Sequence, residues 1–203
     1  MVGGAILFIC VPSIFRDAKK VTGARRLLTV TGGLLVAIGV VGFFGSALSS
    51  VGGLNWLGTT FEWPIGFASG VITTEQGIHV IPHTPSGRIQ LYDRNWKFLR
   101  GWHVDAGGGT FKLAPTETNT VEVITARGQW RYVFDLNGYL LKKENYPPAN
   151  YSSFPKATEA YYVPTKPWLW VFSHPFLSWG TAVSGIILLA IDHKLHKRRK
   201  AKR

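Results

Sequence analysis

Two long stretches of this chain contain no Asp, Glu, Lys or Arg: residues 27–48, 22 positions, and residues 168–191, 24 positions. As a helix the first reaches roughly 33 Å, enough for a hydrocarbon core of about 30 Å. Both are read as transmembrane helices. The second, taken as 167–191, opens on Pro167-Trp168-Leu169-Trp170, an aromatic anchor of the kind found at membrane interfaces. His174-Pro175 inside it either kinks the helix or sets the span at 175–191, with 168–174 among the headgroups. Residues 1–15 are also apolar, but as a helix they reach only about 22 Å and Pro12 interrupts them, so they are a possible first span that crosses only with help from Arg16. They lack the basic start of a signal peptide. A rival reading takes 16–26 as a long basic leader region and Ala47-Leu48-Ser49 as a cleavage site, although the apolar run between is longer than such leaders use.

The chain's 203 residues carry 23 Lys+Arg against 11 Asp+Glu, a net charge of +12. That charge is not spread evenly. Residues 16–26 hold five basic and one acidic residue, net +4, and residues 192–203 hold seven basic and one acidic, net +6. Residues 49–166 hold eleven and nine, net +2. Both basic segments abut apolar runs, so Arg25, Arg26, Lys194, Arg198 and Arg199, with Trp168 and Trp170, are read as membrane-interface residues facing anionic headgroups. The positive-inside rule places 16–26 and the tail 192–203 in the cytoplasm and 49–166 outside, in the inner membrane of a bacterium. No nucleic-acid footprint is left, because the folded segment is nearly neutral. One cysteine, Cys10, excludes an intrachain disulfide and a cysteine-built metal site.

Residues 49–143 alternate with period two. Strands are expected near 70–74, 78–81, 88–93, 97–102, 120–125, 130–135 and 139–142, separated by turn signals such as Thr84-Pro85-Ser86-Gly87, Asp93-Arg94-Asn95 and Asn137-Gly138. The segment repeats itself. Ile89-Gln90-Leu91-Tyr92-Asp93-Arg94-Asn95-Trp96-Lys97-Phe98-Leu99-Arg100 matches Arg131-Tyr132-Val133-Phe134-Asp135-Leu136-Asn137-Gly138-Tyr139-Leu140-Leu141-Lys142, and the two Asp residues are 42 positions apart. That spacing belongs to four-stranded propeller blades.

On these residues the chain resembles the NHL-type β-propeller repeat. Gly87-Arg88-Ile89-Gln90-Leu91-Tyr92-Asp93 with Lys97-Phe98-Leu99-Arg100 is the closer copy, and Gly108-Gly109-Thr110-Phe111-Lys112-Leu113 is similar to the glycine loop before a next blade. The second copy keeps Tyr132-Val133-Phe134-Asp135-Leu136-Asn137-Gly138 but not the preceding Arg-Ile-Gln. The resemblance covers about 68–143 and implies propeller blades, yet a closed ring takes about four to eight of them. Two copies therefore make either a small self-contained sheet or sandwich, or a ring shared between chains; the first is favoured. Residues 144–166, rich in Pro and Tyr, form an extended arm able to cover sheet edges or to serve as a stalk.

Candidate sites are few. His103 and Asp105, beside Gly107-Gly108-Gly109, are weak catalytic candidates, with no nucleophile motif to accompany them. Trp96, Trp102, Trp130 and Tyr139 are read as a binding platform for a carbohydrate or peptide, against the plainer reading as sheet core. His79 and His83 have a metal-like spacing that the strand pattern and Pro82 spoil. The sequence thus predicts a membrane protein with α-helical transmembrane segments plus an all-β extracytoplasmic domain of two blade-like antiparallel repeats. Its expected role is non-enzymatic: an accessory or scaffold subunit that binds a protein or envelope polymer, or a second copy of itself, without metal or cofactor. The alternative is a membrane enzyme or transport component using His103 and Asp105 or the intramembrane His174.

Overall fold

The computed structural model describes residues 23–114, 119–147, 150–154, 157 and 159–201. The possible span 1–15, Cys10 and most of the basic segment 16–26 lie outside the described residues. Two compact units emerge, one from the chain up to Phe44 with His174–Arg203, the other from Gly45–Ser173.

The first unit is an antiparallel helix pair. Helix α1 runs over Ala24–Ser50; after the short helices α2 (Asn150–Ser153) and α3 (Trp170–Ser173), helix α4 runs over Pro175–Ala201. Two helical segments, Arg25–Ser50 and Pro175–Lys197, are long and apolar enough to cross a membrane, and only 28% and 22% of their apolar windows is buried, unlike the core helix of a soluble protein. The helix α4 begins at Pro175 because proline is suited to a first helical position, and the His174 ring caps it by accepting the Phe176 N–H at 3.3 Å. The two helices touch through glycine. A Cβ on Gly39 would stand 2.4 Å from the Ala182 nitrogen and the Ser178 carbonyl, and one on Gly185 would stand 2.6 Å from the Gly32 carbonyl. Such backbone contact maximises packing where no hydrophobic effect drives association. The contact is thus at Gly32, Gly39, Ser178, Ala182 and Gly185. Gly180 is not part of it, since a Cβ there would meet nothing. At one end of the pair Arg25 Nε binds Asp192 Oδ1 at 3.0 Å and Thr29 donates to Asp192 Oδ2 at 3.3 Å. This contact brings the beginning of α1 and the basic end of α4 to the same end.

Among the described residues the second unit holds nine strands: β1 (Phe67–Thr73), β2 (His79–His83), β3 (Arg88–Tyr92), β4 (Phe98–His103), β5 (Phe111–Ala114), β6 (Thr120–Thr125), β7 (Trp130–Asp135), β8 (Leu140–Asn145) and β9 (Glu159–Tyr162). They form an antiparallel sheet of order β4-β3-β2-β1-β9 and another of order β5-β6-β7-β8. The strands β1–β4 and β5–β8 are two meanders in one register, offset by 42. Gln90↔Gly101 is repeated as Tyr132↔Lys143, and His79↔Tyr92 as Val121↔Phe134. Even the bulge between Leu91 and Tyr92 recurs between Val133 and Phe134. The hairpin turns match as well: Asp93 Oδ1 accepts the N–H groups of Asn95 and Lys97, and Asp135 Oδ1 those of Asn137 and Tyr139.

The sheets stack head to tail. Val80, Ile89, Leu91, Trp102 and Val104 of the first meander pack on Phe111, Leu113, Val121, Val123, Tyr132 and Phe134 of the second. Subtracting 42 from the latter set gives positions that include Val71, Ile81 and Tyr92, which bury on the other face of the first sheet with Ile65 and Val163. So each sheet presents the same two faces, and the front of the second lies on the back of the first. A stack of this kind has two ends. At the front of the first sheet the chain supplies its own cover: Gln90 Nε2 donates to the Trp63 carbonyl at 2.8 Å and its Oε1 accepts the Trp63 N–H at 2.5 Å, while Arg88 Nη2 donates to the carbonyls of Gly58 and Phe61. At the back of the second sheet stand charges. Glu122, Arg131 and Glu144 occupy the positions of Val80, Ile89 and Trp102, and Arg131 bonds Glu122 at 2.5 Å and Glu144 at 2.6 Å, with Lys142 on Glu144 at 2.7 Å.

Edges are handled too. Strand β9 pairs with β1, the Ala157 N–H bonds the Leu113 carbonyl on β5, and the Gly101 N–H on β4 bonds the Thr59 carbonyl. Strand β8 is left open among the described residues, with Lys142 and Lys143 along it, a usual guard on an exposed edge. Sequence alternation does not reveal β5 or β9: the first falls in what reads as a glycine loop and the second in the extended arm.

Two outcomes follow from this packing. Gly39→Leu will weaken the helix pair by about 1–3 kcal/mol in detergent unfolding, whereas Gly180→Leu, at the open position, will leave it unchanged. The triple substitution Glu122→Val, Arg131→Ile, Glu144→Trp, which copies the first sheet's back face onto the second, will make the chain self-associate in light scattering.

Candidate functional site

His103 ends β4 opposite Arg88, and Asp105 follows in the loop that joins the two sheets. Burial pulls the His103 pKa below its ordinary value; Asp105 opposes this and the nearby Arg88 guanidinium adds to it. No hydrogen bond joins His103 to Asp105 among the described residues. The Asp105 carboxylate is exposed while its carbonyl accepts the Tyr132 hydroxyl at 3.0 Å. Their loop crosses from one sheet to the next.

A serine does lie near a histidine elsewhere. His83 Nε2 sits 2.8 Å from the Ser173 carbonyl, which can only accept, so Nδ1 accepts the Ser86 hydroxyl at 2.7 Å. Ser86 is fully buried and its carbonyl accepts the Ser49 hydroxyl at 2.6 Å. No substrate reaches such a pair. The pair fastens the turn before β3 to Ser49 and Ser173. Likewise Arg88, Gln90 and Tyr92, all buried on β3, hold the 58–63 segment by carbonyl and carboxylate contacts. Burial lowers the Arg88 guanidinium pKa, and burial with Glu62 pushes the Tyr92 hydroxyl far up.

The four aromatic residues expected to form one platform are separated. Trp102 is only 6% exposed, in the core beside Phe134, so it is not a surface residue. Trp130 lies under the Lys143 ammonium at 4.1 Å, and Tyr139, 71% exposed, is at the tip of the β7–β8 hairpin. Trp96 belongs to a different group. Its ring stacks on His79 with centroids 4.2 Å apart and planes 6° from parallel, and Tyr161 of β9 leans on both at 5.3 Å and 5.7 Å. Thr73 Oγ1 lies 3.0 Å from His79 Nδ1 and donates to Glu159 Oε2 at 3.2 Å. Because the threonine hydrogen goes to the carboxylate, His79 donates to Thr73 from Nδ1–H. Burial lowers the His79 pKa, against the raising pull of Glu159 and Asp93.

Trp96 also holds a strained backbone, φ +60, in the left-handed region. Its repeat counterpart is Gly138, φ +86, where a Cβ would fall 2.8 Å from the Trp102 ring. A side chain in this conformation costs roughly 1 kcal/mol that glycine avoids. The turn itself does not require tryptophan, since the second copy closes without it. Sequence pattern alone does not bring His79, Thr73, Glu159 and Tyr161 together; the one available signal is a Trp where the other repeat has Gly.

Of the interface residues, Arg25 is engaged by Asp192, while Arg26 and Lys194 are exposed and Arg198 and Arg199 lie on the last turns of α4. Trp168 is 69% exposed beneath Lys166, and Trp170 Nε1 donates to the Thr165 carbonyl at 3.2 Å. Among the described residues no three His, Cys, Asp or Glu side chains are placed to hold a metal ion. No protein-family model matches the chain, and no curated protein matches it significantly.

Both His79 and His103 are depressed, so the unfolded chain binds protons that the folded one refuses. Their stabilising contribution is complete above about pH 6.5 and is lost as pH falls through the folded-state values. Thermal unfolding followed from pH 7.5 to 5 should show a falling midpoint, and the double variant His79→Gln, His103→Gln a flatter profile.

Proposed function

We propose that this chain is a multi-pass protein of a bacterial inner membrane that presents residues 49–166 outside the cytoplasm as a non-enzymatic binding module. In this reading it is an accessory or scaffold subunit for a protein or envelope polymer. What supports the membrane topology is the Arg25–Asp192 contact: it holds the start of α1 beside the C-terminal part of α4 in an apolar helix pair, the pairing expected of a hairpin whose basic flanks both face the cytoplasm. Anionic lipid is then the partner of Arg26, Lys194, Arg198 and Arg199. The binding role is supported by what the β unit lacks and what it has. His103 and Asp105 are not joined, Ser86 and His83 are buried, and the exposed chemistry is aromatic. The two meanders are proposed to be NHL-type blades, a reading supported by their common register and head-to-tail stacking.

Sidedness is tested with a membrane-impermeant maleimide on intact spheroplasts of Cys10→Ser chains bearing Glu75→Cys or Lys202→Cys. Labelling at 75 and none at 202 before lysis is expected; the opposite pattern overturns the topology. For the binding role, the deletion phenotype should be complemented by the His103→Ala, Asp105→Ala chain and not by one with the 144–166 arm shortened. Failure of the first chain to complement restores the enzyme reading.

A further inference from the structure

The stacked His79–Trp96 pair, with Tyr161, Thr73 and Glu159 around it, has features that folding of the repeat does not explain. The second meander makes the same hairpin with Val121 in place of His79 and Gly138 in place of Trp96. It therefore acts as an internal control: neither the imidazole nor the strained tryptophan is needed to build this unit of structure. The front of the first sheet takes its apolar cover from Ile65 and Val163, and Trp96, Phe98 and Tyr161 pack at its margin. His79, Trp96 and Tyr161 are half-exposed and Glu159 is exposed, so the polar groups of the cluster stand beside its aromatic rings. Strain kept at one residue against an available glycine is a mark of a working site.

We propose that this cluster is a glycan-binding subsite that takes an uncharged or amino-sugar unit of an envelope polymer. A pyranose presents apolar C–H groups on one face and hydroxyls around its edge. The aromatic surface suits the first, and the mixture of acceptors at His79 Nε2 and Glu159 with donors at Trp96 and Tyr161 suits the second. Glu159 and Asp93, both close enough to act on His79, oppose acidic sugars. The proposal rests on the reading of the β unit as a binding module and specifies its ligand and place.

The test is calorimetric titration of the full-length protein in detergent with maltotriose, cellotriose, chitotriose and the chitosan trimer, with trigalacturonate as the acidic control. Binding of at least one of the first four and not of trigalacturonate is expected. Trp96→Gly, His79→Val and Glu159→Gln should each weaken it at least about tenfold, and Trp96→Gly should leave the unfolding midpoint unchanged or raised. Absence of binding to all four overturns the site. So does a lowered midpoint for Trp96→Gly together with faster hydrogen exchange in β9, because the ring would then be an anchor for the arm. A protein cross-linked to the β unit in cells, with no glycan bound, removes this site and leaves the binding-module reading standing.

Discussion

A four-stranded sheet has two faces, and a stack of sheets always has two faces left over. Most of what distinguishes this chain follows from how it treats that remainder. The Val80, Ile89, Leu91 face meets the Val121, Tyr132, Phe134 face in a dry interface, which is the hydrophobic centre of the β unit. The same repeat would expose an equally apolar front and back if it were copied without change. Instead the back carries the Glu122–Arg131–Glu144–Lys142 ladder, and the front is sealed by residues 58–65 and Val163. Surface ion pairs add little stability. Here their effect is to remove the apolar face on which a third sheet would settle.

Sealing the front with chain rather than with another sheet explains the polar residues inside it. An irregular segment brings unpaired carbonyls and N–H groups into a buried place, and these must be met. Arg88 and Gln90 meet them at Gly58, Phe61 and Trp63, which is why a strand can bury Arg, Gln and Tyr side by side. At the periphery of that seal lies the half-exposed His79–Trp96 pair, with Trp96 in the left-handed region.

Much of this was legible in the residues, for identifiable reasons. Uncharged length and flanking charge revealed the two membrane-competent helices, and alternation with turn residues revealed seven strands, β6 and β7 at their observed limits. The repeat held more than the alternation did: adding 42 to residues 69–72 of β1 gives 111–114, the span of β5, which its flanking glycines disguised. Strand β9 has no periodicity of its own and exists because β1 offers an edge. Trp102 and Trp96 look alike as letters; the first is core and the second surface because one sheet has a neighbour on that side and the other has chain.

The central claim is that the two meanders stack on each other within one chain. It is tested most directly by placing a photo-crosslinking phenylalanine analogue at position 102, against Phe134 and Gly138, in an equal mixture of nitrogen-15-labelled and unlabelled chains co-expressed or refolded together. Mass spectrometry of the cross-linked peptides then reads whether both halves come from one chain. Pairs that are wholly labelled or wholly unlabelled are the predicted result; mixed pairs as abundant as pure ones would show that the sheets stack between chains and would contradict it.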